Sequence, residues 1–513
     1  TKTKTSSKKG KEVSKMKAMK QLAAMVLSVI MVLALAAPAF AAGNTYTITA
    51  PSNDHTYEVY QIFTGDLHEG VLSNVKWGKN GTGTEGEAVS AEIITELTGT
   101  TGTDTAKLEI ISKYVDLEST EFGKVTNGRP LQVPSGYYLI KDVDGALEGE
   151  EDAYTLYIVE VVGDVTISPK SDVPESEKKV KDINDTEEST PSNWHGDEGW
   201  QDSADWDIGD KVPFQLKGTV ADNYDNYKVY QFIFHDKESA GLTFDPYSVK
   251  VYVDGTEIET GFEVKTSGLD DDCTFEVVFE DLKKIESVNA GSVITVEYES
   301  ELNSNAVIGS EGNPNTMHLE FSNNPNDEQG GETGETPDDT VIVFTYKTVI
   351  NKVDGENKPL TGAEFTLEKK VKDDEAEGGY KWVAITSVKN GEGTTFTFSG
   401  LDDGDYRLTE TKTPDGYNTI DPIEFTITAT HEVKSDNPAL TSLNGNATTG
   451  EITFTSNTGD GSLTADVVNK SGATLPETGG MGTTLFYIVG GILVLGAGIL
   501  LITRRRMSMM DEQ

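Results

Sequence analysis

Apolar and polar residues alternate with a period of two along much of the chain. The segments NTYTITA, YTLYIVEVV, SVKVYVDG, CTFEVVFEDL, SVITVEYES, AEFTLEKK and TTFTFSGL show it best. Extended chains point successive side chains to opposite faces, so each segment predicts a strand with one buried face. The helical period is scarce, and only residues 90–99 and 105–116 predict helices. This pattern predicts an all-β chain of tandem sandwich domains.

Punctuation divides the strands into groups. One break falls near Pro169 to Pro174, after Val165-Thr166-Ile167. Another is the polar, Gly- and Glu-rich stretch from Asn326 to Asp339, which has no strand pattern. The expected domains are 43–170, 171–330 and 340–472, a chain length of roughly three ordinary domains.

The two ends read differently. Residues 1–42 hold upstream residues and a signal peptide: Lys17 and Lys20, an apolar run from Leu22 to Ala37, then Ala39-Phe40-Ala41. Thr1 to Ser14 precede a plausible start at Met16 and are assigned to no domain. Near the C-terminus, Leu485 to Ile502 is an uncharged apolar run just long enough to form a membrane-spanning helix. Arg504-Arg505-Arg506 comes next and should stay cytoplasmic. Leu475-Pro476-Glu477-Thr478-Gly479 lies just before the apolar run. Pentapeptide, span and basic tail in that order resemble the cell-wall sorting signal of Gram-positive surface proteins. In that family a sortase attacks the threonine carbonyl, here Thr478, and releases the residues C-terminal to it. The resemblance implies a secreted protein anchored to the cell wall through peptidoglycan, within residues 475–513.

Composition narrows the function. The chain carries 86 acidic against 42 basic residues, a net charge of −44. Such a surface repels nucleic acid and anionic lipid, and no nucleic-acid partner is expected. Six histidines without paired-His spacing argue against zinc, and no EF-hand loop occurs. No G-x-S-x-G, H-E-x-x-H or P-loop pattern is present. No cofactor, metal or turnover activity is expected. Cys273 is the only cysteine, so no internal disulfide can stiffen this exported chain; it reads as a buried, inert thiol.

Residues 340–472 give the strongest internal signal. They contain Val349 to Asp354, Leu360 to Leu367, and Tyr406-Arg407-Leu408-Thr409-Glu410-Thr411 followed by Pro414-Asp415-Gly416-Tyr417. Ala465-Asp466-Val467-Val468-Asn469 closes the segment. It resembles the prealbumin-like, CnaB-type domain of Gram-positive pilins, with Glu410 at the key position of the pilin E-box. The resemblance implies a spontaneous isopeptide bond between Lys352 and Asn469, assisted by Glu410. Strand parity puts Ile350 and Lys352 on one face of the first strand, and Ala465, Val467 and Asn469 on one face of the last, so amine and amide could meet in one apolar core. Burial would favour a free amine and a protonated carboxyl, which is the chemistry the bond needs.

Residues 171–330 are similar to the CnaA-type, immunoglobulin-like domain of backbone pilins, through SEKKVKD, DSADWDIGDKVPFQL, YQFIFHDKESAGLTF and HLEFSNNPN. A second Lys–Asn bond is implied. Parity favours Lys178 over Lys179 and Asn323 over Asn324, and Asp236 leads Asp207 as the helper acid. Residues 43–170 resemble the N-terminal domain of backbone pilins only loosely. Gly136 to Asp142 has the E-box rhythm without its glutamate, and no isopeptide is expected there.

Val165, Ile167, Pro169 and Lys170 fit half of the pilin motif W-x3-V-x-V-Y-P-K, with Ser168 in place of tyrosine and no tryptophan upstream. The resemblance makes Lys170 the amine that a class C sortase joins to Thr478 of another copy. Partners are then the class C and housekeeping sortases, other copies of the chain in a covalent fibre, peptidoglycan, minor or tip pilins and host surface ligands. The expected function is a major pilin subunit supporting adhesion. The alternative is a monomeric wall-anchored adhesin for host matrix or glycans. A wall-linked carbohydrate-binding or hydrolytic protein ranks last, because no domain has the aromatic density of a sugar platform.

Overall fold

Period-two alternation becomes strand pairing from Thr45 to Asn469. The computed structural model describes residues 45–472, apart from 69–70, 100–103, 156, 162, 170–171, 190–193, 197, 270, 328 and 390–392, together with a helix at 487–499. The signal segment, Lys170 and Leu475, Pro476, Glu477, Thr478 and Gly479 lie outside the described residues. The apolar run expected to span a membrane is described only over residues 487–499. Among the described residues no helix is long and apolar enough to cross a membrane.

The first group of strands forms a three-stranded and a five-stranded sheet. Ile48, Tyr57, Val59, Val133, Ile140 and Ile167 fill the space between them. The two expected helices appear at Ala91–Gly99 and Asp104–Ile111. Ile94 packs with Phe63 and Trp77 in a second core.

The middle group is a sandwich of two seven-stranded sheets. One sheet contains Glu175–Lys181, Lys211–Thr219 and Val293–Leu302; the other contains Phe232–Glu238, Phe275–Phe279 and Asn313–Ser322. Aromatic and β-branched residues from both inner faces form one core, including Phe214, Phe232, Phe234, Val296 and Phe321. Removing that apolar area from water is the main favourable contribution to folding.

The last group is a four-stranded sheet facing a five-stranded one. Its first strand, Tyr346–Asp354, pairs in parallel with its last, Ser462–Asn469.

Two details depart from the sequence expectation. The third domain was expected to open at residue 340, but Asp339–Phe344 is a strand of the middle sandwich, paired with Ser203–Asp205 and Asn313–Ser322. Val341 and Val343 lie in the middle core, whereas Phe344 lies in the last one. The polar stretch expected to hold a domain boundary and no strand contributes Thr333–Glu335, which pairs with Asn313–Ser322. A Cβ on Gly334 would come within 2.4 Å of the Glu150 carbonyl oxygen, so only glycine lets the first domain approach here.

Candidate functional site

Two interior clusters bring together most of the residues singled out for isopeptide chemistry. In the last domain, Lys352 lies opposite Val467 in the parallel pair, and Asn469 lies opposite Asp354. Lys352 and Asn469 are therefore diagonal neighbours, a spacing of about 7–8 Å that a lysine stem can bridge. Glu410 is cross-strand from the buried Phe365 and enters from the facing sheet. Asn469 Nδ2 donates to both Glu410 oxygens at 3.0 Å. Thr413 Oγ1 and the Ile420 amide also donate to Glu410. Asn469 Oδ1 is buried without a hydrogen-bond partner. Lys352 Nζ donates to the Val467 carbonyl at 2.8 Å, and burial pulls its pKa down to about 8. A good fraction of this amine is neutral near physiological pH, when it can act as a nucleophile.

In the middle domain, Lys178 and Asp236 enter the core from opposite sheets and are both fully buried. Lys178 Nζ donates to Asp236 Oδ2. Tyr298 OH accepts from Lys178 Nζ at 3.0 Å and donates to Asp236 Oδ2 at 2.8 Å. Burial lowers the lysine pKa and raises that of the aspartate, so both move toward their neutral forms despite their mutual attraction.

Asn323 is not part of this cluster. The amide here belongs to Asn315, which is fully buried and donates to Tyr298 OH at 2.9 Å. Asn315 Oδ1 has no hydrogen-bond partner. Asn315 pairs with Glu238, and Asp236 with Met317, so amide and acid are diagonal neighbours. Asn323 shares their strand face but lies eight residues on, about 26 Å away along an extended chain. It donates instead to the Leu147 and Asp152 carbonyls at 2.6 and 3.3 Å, joining the first domain to the middle one. Parity gave the correct face but not the height along it. Tyr298 carried no signal of its own in the sequence.

The fallback residues are elsewhere too. Lys179 points away from the core and meets Asp202 at 2.6 Å. Asn324 Oδ1 accepts from the Asn326 amide. Asp207 instead contacts Lys369 Nζ at 2.7 Å, where Asp402 lies at 2.8 Å and Asp185 at 3.3 Å. Lys369 is buried too, but these carboxylates outweigh burial and raise its pKa well above the usual value. It remains a cation joining the middle and last domains, so burial alone does not make a lysine nucleophilic. In the first domain, Lys141 is likewise buried beside Glu58 and Asp144. Cys273, expected to be buried, is only partly so.

Comparisons with known proteins give the class. Residues 208–325 match the Cna-B-like domain of Gram-positive pilin backbone subunit 2, residues 347–439 a prealbumin-like fold domain, and residues 467–508 the LPXTG cell wall anchor motif. The middle segment, which in sequence resembles the CnaA type, is thus matched by a domain described as Cna-B-like. The chain thus carries a Gram-positive pilin backbone domain, a prealbumin-like domain and a cell-wall anchor motif, the parts found in proteins of the cell-wall-anchored surface pilus. It is 28% identical over 272 residues to the trypsin-resistant surface T6 protein of Streptococcus pyogenes serotype M6, covering 41% of this chain and 48% of that protein. The match therefore spans about half the length of that curated relative. Among solved structures, the T6 backbone pilin of serotype M6 Streptococcus pyogenes aligns at 18% identity and a TM-score of 0.48, over 84% of this chain and 98% of that one. The full-length major pilin SpaD of Corynebacterium diphtheriae aligns at 16% identity and the same TM-score and coverage.

Proposed function

We propose that this backbone pilin is polymerised head-to-tail by a class C sortase, through the Thr478 carbonyl of one subunit and the Lys170 amine of the next. A housekeeping sortase then attaches the fibre to peptidoglycan, and the fibre supports surface adhesion. Because donor and acceptor are different residues, each link is heterologous and the assembly is open-ended.

Each subunit is stiffened by two self-made amide bonds, Lys352–Asn469 with Glu410 as helper and Lys178–Asn315 with Asp236. The neutral amine attacks the asparagine Cγ, and a new C–N bond forms as the Cγ–Nδ2 bond breaks. The helper carboxyl passes the amine's proton to the leaving nitrogen, which departs as ammonia. The observation that carries this is the seating of Lys178, Asp236 and Asn315 around Tyr298 in a buried core.

Intact mass of the secreted chain tests the cross-links: it should fall short of the sequence mass by two ammonia molecules. Co-expression with the cognate sortase tests the fibre. A ladder on a boiled SDS gel should collapse to monomer with Lys170→Ala. A lone monomer from the unaltered chain would overturn polymerisation and leave a wall-anchored adhesin.

A further inference from the structure

The outer face of the middle domain carries a second cluster unrelated to the cross-links. His235 precedes Asp236 on strand Phe232–Glu238 and so points to the opposite side of the sheet. Glu276 is its cross-strand partner on one side and His318 on the other. Asp271 and Cys273 approach from the loop that leads into Phe275–Phe279. From His235 Nδ1, Asp271 Oδ2 lies at 3.0 Å, Cys273 Sγ at 3.3 Å and Glu276 Oε1 at 3.8 Å. The four donor atoms lie within 4.8 Å of one another.

These separations decide what could bind. Zinc-class ions bind nitrogen, oxygen and sulfur at about 2.0–2.3 Å, which makes the edges of their tetrahedra about 3.3–3.8 Å. The three separations from His235 Nδ1 bracket that range. A carboxylate and a second ring also lie beside the imidazole. His235 Nε2 lies 3.2 Å from Glu320 Oε2, and the ring stacks on His318 at 4.7 Å between centroids. A carboxylate this close to the far nitrogen favours a proton there and leaves Nδ1 as the donor nitrogen.

We propose that His235, Asp271, Cys273 and Glu276 form a binding site for a divalent transition-metal ion of the zinc class. Nitrogen and thiolate donors favour such an ion over calcium or magnesium. In the metal-free protein the Cys273 thiol donates to Asp271 Oδ1. Burial and that carboxylate keep the thiol protonated. Binding breaks the S–H bond, forms a metal–sulfur bond and releases one proton to solvent, with no change of oxidation state. The ion would tie the loop carrying Asp271 and Cys273 to the sheet, adding a staple in a chain without disulfides.

Cobalt(II) is the probe. Added to the full secreted chain after chelator treatment, it should give a thiolate-to-cobalt absorption band that saturates at one equivalent and is displaced by zinc. Cys273→Ser should abolish the band, and His235→Gln should weaken zinc binding at least tenfold by calorimetry. Both variants should keep the melting temperature of the metal-free chain, which separates lost binding from lost folding. Absence of a saturable band in the unaltered chain would overturn the site. So would zinc affinity unchanged in both variants.

Discussion

Asn315→Ala tests the middle-domain chemistry most directly, because sequence parity pointed to Asn323 instead. The Lys178–Asn315 bond would close a loop of roughly 140 residues, whose loss from the unfolded ensemble is worth about 5 kcal/mol on the chain-entropy model. Loss of the Asn315 hydrogen bond to Tyr298 adds about 1 kcal/mol. For a domain of about 150 residues, unfolding entropy converts this to a melting point roughly 15–20 °C lower. Calorimetry measures the shift, and intact mass counts the ammonia lost. Asn315→Ala should lose one ammonia molecule where the unaltered chain loses two. Asn323→Ala should still lose two, since its amide serves the contact with Leu147 and Asp152. Two losses from Asn315→Ala, or one from Asn323→Ala, would refute the assignment.

Lys369→Ala should strand buried carboxylates at Asp207 and Asp402 and cost about 3–5 kcal/mol, while leaving both ammonia losses intact. Melting temperature and mass measured together distinguish this ionic clamp from a cross-link. In freshly translated chain, the rate of the Lys352–Asn469 reaction should rise with pH and level off above about 8, where the buried amine is already neutral. A rate that does not change from pH 6 to 9, followed by time-resolved mass, would contradict a neutral nucleophile. The Asp142 and Asp152 hydrogen bonds raise the His55 pKa from 6.5 to about 10. Because the folded value is the higher one, this stabilisation is complete below pH 6.5 and lost as pH rises through about 10. Denaturant melts of the first domain should weaken over that window, and His55→Gln should remove the dependence.

Much of this protein is legible in the sequence because its signals are local. Period-two alternation specifies strands and their buried faces, since inside and outside are decided residue by residue. Lys352 and Asn469 could be placed on inward faces because each strand's parity is a local property, and Glu410 was marked by its motif. The helices at Ala91–Gly99 and Asp104–Ile111 were local too. What parity cannot give is position along a face, which depends on how distant strands are aligned. Parity put Lys178 and Asp236 on inward faces and pointed to Asn323, whereas the register of Phe232–Glu238 against Asn313–Ser322 is what brings the Asn315 amide to the level of the acid. Asp339–Phe344 had the alternation of a strand, but tertiary pairing decided which sandwich it joined. The cluster of His235, Asp271, Cys273 and Glu276 has no spacing in the chain that marks it. A turn and a cross-strand pair bring those donors together, and distance in space is set by the fold rather than by distance in sequence.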